Sequence, residues 1–443
     1  MLMRIALIIV MSGFSSSLFA KIHSAPVIVP GFKIRQAARY PIQAYRLFRS
    51  DKGIATTIPF QIDEINQYGD YVLDQGQEVT KNDGNGIFDL QDELAFMGDD
   101  VGESVPPTTW PNNQKPNLIF EIKQEFQGEP KDPKAKSGSV YLGIYFRKPP
   151  PLSQRKYVVF DEKNGAVRTS RYLYNFDKKN YLVVNSVDMY SRDKEPQKVP
   201  LIDSSTFYLK ADLKYFLTFE IHHKDIQSYL EAYKIGPIRS IVRVTFFYRF
   251  LKINFELGMY TELSLFSNSV VLPAIMYNPL DSDANLNEGS GFYYGFATTE
   301  NPNTYNIETN IPDYNKYIGN KSLFDMFSKG PKVESRYWLS MTRKDRMMFF
   351  EVIPSKDMLK HENIPYLYRE NLSAKELRAS RKNDKAQPLG KSPVNLGVYF
   401  DLTKFNKGEH RISFRLFFDN QYDLDDMKSY QNLDSWQLEL NRL

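Results

Sequence analysis

The chain has no cysteine among its 443 residues. That absence excludes disulfide staples, thiolate catalysis, thiolate zinc sites and a lipid-modified N-terminal Cys. Histidine is scarce, with five residues (His23, His222, His223, His361 and His410) and no His-Glu-x-x-His pair, so a zincin site has no support. His222 and His223 are neighbours on an expected strand, so their rings face opposite ways and cannot share one metal ion. Gly-x-Ser-x-Gly, a phosphate loop and a dinucleotide fingerprint are also missing, so serine hydrolase, nucleotide and NAD readings lose support. Neither sign of charge dominates: 57 Lys and Arg against 53 Asp and Glu leave +4, too little to argue for nucleic acid or an acidic partner. After the N-terminus no uncharged apolar run approaches the ~20 residues of a membrane-spanning helix. Even residues 241–255 hold Arg243, Arg249 and Lys252.

Tyr and Phe are abundant, 29 and 31 against 3 Trp. Both fit half-buried strands, and period-two patterns rich in them predict strands at 41–48, 54–62, 118–123, 139–146, 156–160, 181–184, 238–250, 253–264, 347–353, 396–401 and 411–418. Scattered charges interrupt the apolar outer face that an outer-membrane barrel needs. Helical signals are few. Residues 225–234 read as a helix stopped by Gly236-Pro237, 373–381 opens on a Ser-x-x-Glu capping box, and 321–328 fits two turns. Many strands and few helices predict an all-β chain of two β-sandwich-like domains with a few short helices.

The first segment reads as an address. Arg4, an apolar run from Ile5 to Phe14 and the small-residue end before Ala20 make residues 1–20 an expected signal peptide, with a periplasmic or extracellular mature protein and no transmembrane span. An N-terminal β-rich domain is expected over 21–148. Pro149-Pro150-Pro151 opens a stiff connector over 149–155, and a C-terminal β-sandwich follows over 156–443 with a polar, basic loop at 378–392.

The densest local information lies between residues 58 and 102. An EF-type calcium loop draws oxygens from positions one, three, five, seven, nine and twelve, with Gly at six. Placing Gly86 at six puts Asp83, Asn85, the Ile87 carbonyl, Asp89 and Asp92 at three, five, seven, nine and twelve, with Phe88 at the apolar position eight. Position one falls on Lys81, a cation, and Glu93 adjoins position twelve. The same residues also make a tight Asn-Asp-Gly-Asn-Gly turn chosen for positive φ, with no ion. A structural calcium ion is therefore one of two readings.

Phe60-Gln61-Ile62-Asp63-Glu64, the acidic turn, and Asp92-Glu93-Leu94-x-Phe96-Met97-x-x-Asp100-x-Gly102 together resemble a family of exported bacterial proteins of unassigned function, which pair a Pro-Phe-Gln-Ile-Asp strand with a dockerin-like turn. The resemblance implies export and a β-rich module often found beside glycan-directed domains. It implies no catalytic residue.

Asp63 and Glu64, at the end of an apolar strand, are candidate ligand-binding carboxylates. Asp281 and Asp283 open a second acidic loop, and Tyr293 and Tyr294 beyond it are candidates for stacking on a sugar ring. The run from Asp419 to Asp426 is a third acidic stretch. A glycosidase needs two carboxylates about 5–10 Å apart, and 53 acidic residues give no basis for choosing a pair. The expected function is an exported binding or structural protein that recognises a cell-envelope component or extracellular glycan. The alternative is a glycosidase or lyase acting on polysaccharide through carboxylates or a Tyr/His pair.

Overall fold

Alternation of large apolar and polar residues becomes strand almost throughout. The structure, a computed structural model, describes residues 24–126, 137–191, 197–214, 217–250, 253–278, 281–298, 306–310, 336–343, 346–356, 358, 366–371, 394–420, 430 and 436–443. Segment 1–20, the expected helices at 321–328 and 373–381, the basic loop 378–392 and the acidic run beyond Asn420 (421–426) lie outside them.

The architecture is all-β. Two nine-stranded antiparallel sheets make most of the molecule. In the first, the central strands Lys198–Leu213, Gly291–Thr298 and Val394–Asp401 run side by side, continued by Asn180–Tyr190, Tyr172–Asp177, Ala166–Thr169 and Val158–Asp161. In the second, Gly408–Asp419 lies between Arg346–Pro354 and Ser269–Asn278, followed by Ile253–Phe266, Arg239–Phe250 and Ile226–Ile235. One continuous core lies between these sheets. Phe296 and Tyr294 from the first meet Phe350 and Phe414 from the second, with Phe296 and Phe350 edge to face at 5.5 Å. Aromatic rings in such contacts bury large areas, which is how a chain without disulfides holds two wide sheets together.

The N-terminal part adds two smaller sheets around their own core of Val29, Tyr45, Phe88, Phe96 and Phe120. A five-stranded sheet contains Tyr45–Asp51 and Ile54–Ile58; a three-stranded one has Glu93–Met97 between Pro26–Pro30 and Gln61–Asp63. The chain passes from one sheet to the other at Pro59, which has no N–H for a ladder. Sheet membership does not follow chain order. The last strand, Trp436–Arg442, pairs with Leu118–Phe126 in the five-stranded sheet, while Gln75–Gly76 pairs with Ala232 and Tyr233 at the edge of a large one.

The expected helix at 225–234 is instead the strand Ile226–Ile235. A register shift between Leu230 and Ala232 explains the misreading. Ile226, Ser228 and Leu230 turn toward the core before the bulge, Tyr233 and Ile235 after it, and the extra residue makes period two resemble helical spacing. Gly236-Pro237 then marks a hairpin turn, closed by the Gly236 N–H donating to the Arg239 carbonyl at 3.1 Å. Among the described residues no helix is long and apolar enough to cross a membrane.

Candidate functional site

Asp63 ends the strand Gln61–Asp63 and Glu64 follows it, and the two carboxylates go to different partners. Asp63 is fully buried where the three-stranded sheet packs on the second large sheet. Its carboxylate accepts from Arg239 Nε at 2.9 Å, pairs with Lys234 Nζ at 2.8 Å, and accepts from Gln61 Nε2 at 2.8 Å. Arg239 reaches on to Glu93 Oε2 at 2.7 Å, which also accepts from the Tyr71 hydroxyl at 2.8 Å. The guanidinium lies over the Tyr71 ring, 4.8 Å from its centre. Gln61 Oε1 accepts from the backbone N–H groups of Ile238 and Arg239. A Cβ at Gly236 would collide with that amide, so a larger residue there would displace Gln61 from its place. Burial pushes the Asp63 carboxyl upward, but Arg239 and Lys234 outweigh it and hold the acid below its ordinary range. Gln61 and Asp63 of the motif therefore clamp two parts of the fold together, and Asp63 is out of reach of any ligand.

Glu64 faces the acidic turn. Its Oε1 accepts from the N–H groups of Asn85 at 2.8 Å and Gly86 at 2.7 Å. Gly86 has φ +71°, which the backbone needs to aim both groups at one oxygen. Asn85 Oδ1 accepts from the Ile87 N–H at 2.8 Å, and Asn85 Nδ2 donates to Asp89 Oδ2 at 2.6 Å. Asp92 accepts from the N–H groups of Ile65 at 2.8 Å and Asp89 at 2.6 Å. Burial raises the Asp92 carboxyl, the two N–H groups pull it back, and the charges of Asp89 and Glu64 raise it further. Phe88 is fully buried, edge-on to Tyr45 at 5.5 Å.

These contacts bear on the calcium reading. Oxygens of Asn85 and Asp92 that a hard cation would use accept backbone N–H groups, and Asn85 bonds Asp89 directly. Glu93 points to Arg239. Asp83 forms the short turn Lys81–Asp83, its N–H on the Thr80 carbonyl. Among the described residues no three or more His, Asp or Glu are grouped to hold a metal. Excess EDTA is expected to move the thermal midpoint by less than about 2 °C, the shift of under 1 kcal/mol in a chain this size. A drop of several degrees reversed by added calcium would restore the ion to this turn.

The other candidates are dispersed. Asp281 precedes the short helix Ser282–Asn285 with no capping bond from its side chain, and the Asp283 carbonyl accepts from Lys214 Nζ at 2.6 Å. Tyr293 and Tyr294 are both 4% exposed, in the middle of the first large sheet. Tyr294 packs on Phe296 and Phe414, so neither ring offers a face to a sugar. The aromatic run read as lying beside an acidic loop is the central strand Gly291–Thr298. Asp419 is fully buried and bonded to Arg171 at 2.8 Å and to the Tyr430 hydroxyl at 3.1 Å.

Beside the acidic turn the structure opens a cavity of about 430 Å³. Glu64, Asp83, Asp89, Asp92, Asn66, Gln67, Tyr68 and Gln91 are among the residues that line it. Tyr68 is 78% exposed. It stands on a loop fixed by Asn66, whose Oδ1 accepts from the N–H groups of Tyr68 at 2.9 Å and Asp70 at 3.0 Å, with the Gly69 N–H on the Asn66 carbonyl. Sequence reasoning missed this loop. The Asn-x-x-Gly-Asp spacing of an Asx turn was its one available signal.

No protein-family model and no curated protein matches the chain. Among solved structures it is similar to an alpha-mannosidase from Enterococcus faecalis V583, at 7% identity and a TM-score of 0.43 over 95% of this chain and 45% of that one. It is also similar to a protein in the glycosyl hydrolase family 38 from Enterococcus faecalis (8%, TM-score 0.38, 94% and 45%) and to a bacterial glucoamylase complexed with acarbose (13%, TM-score 0.31, 71% and 38%). The chain spans less than half the length of each. At such values the reading of the site rests on its own residues.

Proposed function

We propose that the chain is an exported β-sandwich protein that binds glycan, and that the cleft between the acidic turn and Tyr68 receives it. The observation that carries this is the lining: an exposed ring on a hydrogen-bonded loop shares with carboxylates and amides a cavity large enough for a small saccharide. Hydroxyl groups donate to carboxylates and exchange bonds with amides, while the ring gives a flat apolar face. Four carboxylates repel uronic acids and sulfated sugars, so the ligand is a neutral or amine-bearing glycan. Export rests on the signal-like segment 1–20.

The test is calorimetry against neutral, amino and acidic glycans. Tyr68→Ala is expected to weaken binding about tenfold, the effect of about 1.4 kcal/mol, without moving the thermal midpoint. Absence of binding to every neutral and amino glycan overturns the reading.

One observation favours the polysaccharide-acting alternative: Asp92 has the upward-shifted carboxyl that a general acid needs. Its two N–H partners and 2% exposure work against that role, since it cannot approach a glycosidic oxygen. Release of reducing ends that is abolished by Asp92→Asn would favour the enzyme.

A further inference from the structure

The second large sheet has one face on the shared core and one turned outward. The outward face is divided. Ala95 and Met97 of the three-stranded sheet pack on it near Ile238 and Phe266, Leu73 and Tyr71 pack near Ala232 and Ile241, and Ala25 and Tyr430 pack near Phe349 and Phe417. Tyr229, Thr245 and Tyr260 occupy directly opposed positions on three adjacent strands, so their side chains stand in one row. Tyr229 is 36% and Tyr260 43% exposed, and Tyr277, two strands on from Thr245, is 65% exposed.

The row joins the cleft. Asp70, on the loop that carries Tyr68, accepts a hydrogen bond from the Tyr260 hydroxyl. That bond is the main reason the phenol is pushed up to about 12. The same loop is tied to the sheet by Arg243, which donates to the Tyr71 carbonyl at 3.0 Å and to Glu262 at 2.6 Å. Tyr68 and Tyr260 thus sit on a single braced surface.

We infer that the cleft extends along the Tyr260–Thr245–Tyr229 row and that the ligand is an extended oligosaccharide lying across the strands. This deepens the glycan reading above and rests on it. Strands are spaced about 4.8 Å apart, so rings two strands apart are centred about 10 Å apart, close to the length of a disaccharide unit. Between them Thr245, whose hydroxyl donates to Glu231 at 2.6 Å, leaves a low polar floor under a sugar bridging the two rings. Tyr is suited to this position because it keeps a rigid face and a wet edge.

Calorimetry with β-1,4-linked glucose and glucosamine oligomers of increasing length tests the inference on the full chain. Wild type is expected to bind hexasaccharide about tenfold or more tighter than disaccharide. Tyr229→Ala should remove most of that gain and leave disaccharide affinity unchanged, Tyr260→Ala should remove the gain as well, and Tyr68→Ala weakens every length. Tyr260→Phe, which keeps the ring, should keep the gain; its loss there would rule out stacking at this position. Disaccharide binding with no gain on lengthening overturns the extended track and leaves the cleft intact. No binding at any length overturns the cleft and the track together. Circular dichroism of each variant separates these outcomes from misfolding.

Discussion

Asp63→Ala is expected to lower the unfolding free energy by about 3–5 kcal/mol, the range for breaking a buried ion pair from one side. The substitution takes from the Arg239 guanidinium, 3% exposed, one of its two carboxylate partners, leaving Glu93, and takes from Lys234 its salt-bridge partner. It also frees Gln61 from Asp63, loosening the amide that holds the Ile238 and Arg239 backbone. Urea unfolding measures the loss. Adding Arg239→Met should recover part of it, because the uncompensated charge goes with the second substitution. A loss below about 1 kcal/mol for Asp63→Ala would mean that this junction is not what joins the two parts.

The same pair fixes a pH dependence. The folded Asp63 carboxyl lies below its unfolded value of about 3.9. Its contribution is therefore present above that pH and disappears as pH falls through the depressed folded value. Wild-type stability should fall in acid below about pH 4. Asp63→Asn, already destabilised at neutral pH, should lose less over the same window.

Phe296→Ala is the second large effect, at about 3–5 kcal/mol. The ring is fully buried, 5.3 Å from Tyr294 and 5.5 Å from Phe350 on the facing sheet. Truncation leaves a hole between two sheets whose ladders resist moving inward, so the gap stays open and the dispersion contacts on both sides are lost. Phe219→Ala, at a ring 49% exposed on the strand Leu217–His222, is the control and should change stability by no more than about 0.5 kcal/mol. Equal losses at the two positions would contradict the shared core.

How much of the site could be read beforehand is clearest at Gln61–Asp63 and at Tyr293–Tyr294. The first stretch stood out in the sequence because it couples an apolar strand to a carboxylate, but its partners, Lys234 and Arg239, lie far along the chain. Nothing in local spacing indicates that an acid will meet cations so distant. Tyr293 and Tyr294 failed for the opposite reason. Two adjacent rings after a glycine-containing loop have the composition of a binding surface and of a central strand alike, and only the neighbouring strands Lys198–Leu213 and Val394–Asp401 decide between them. Phe88 at the eighth position of the turn was legible, since an apolar residue among acids has one place to go.

The amino-acid order alone determined that this chain is built of strands, that no thiol or thiolate-bound metal holds it, and that its acidic turn is bent by glycine, because period, composition and backbone freedom are local properties. Tertiary structure alone decided that the turn's oxygens go to backbone N–H groups, that Asp63 is a clamp while Glu64 faces a cleft, and that the last strand returns to the first part of the fold. Those outcomes depend on which distant groups arrive within hydrogen-bonding reach, and sheet pairing across hundreds of residues sets that.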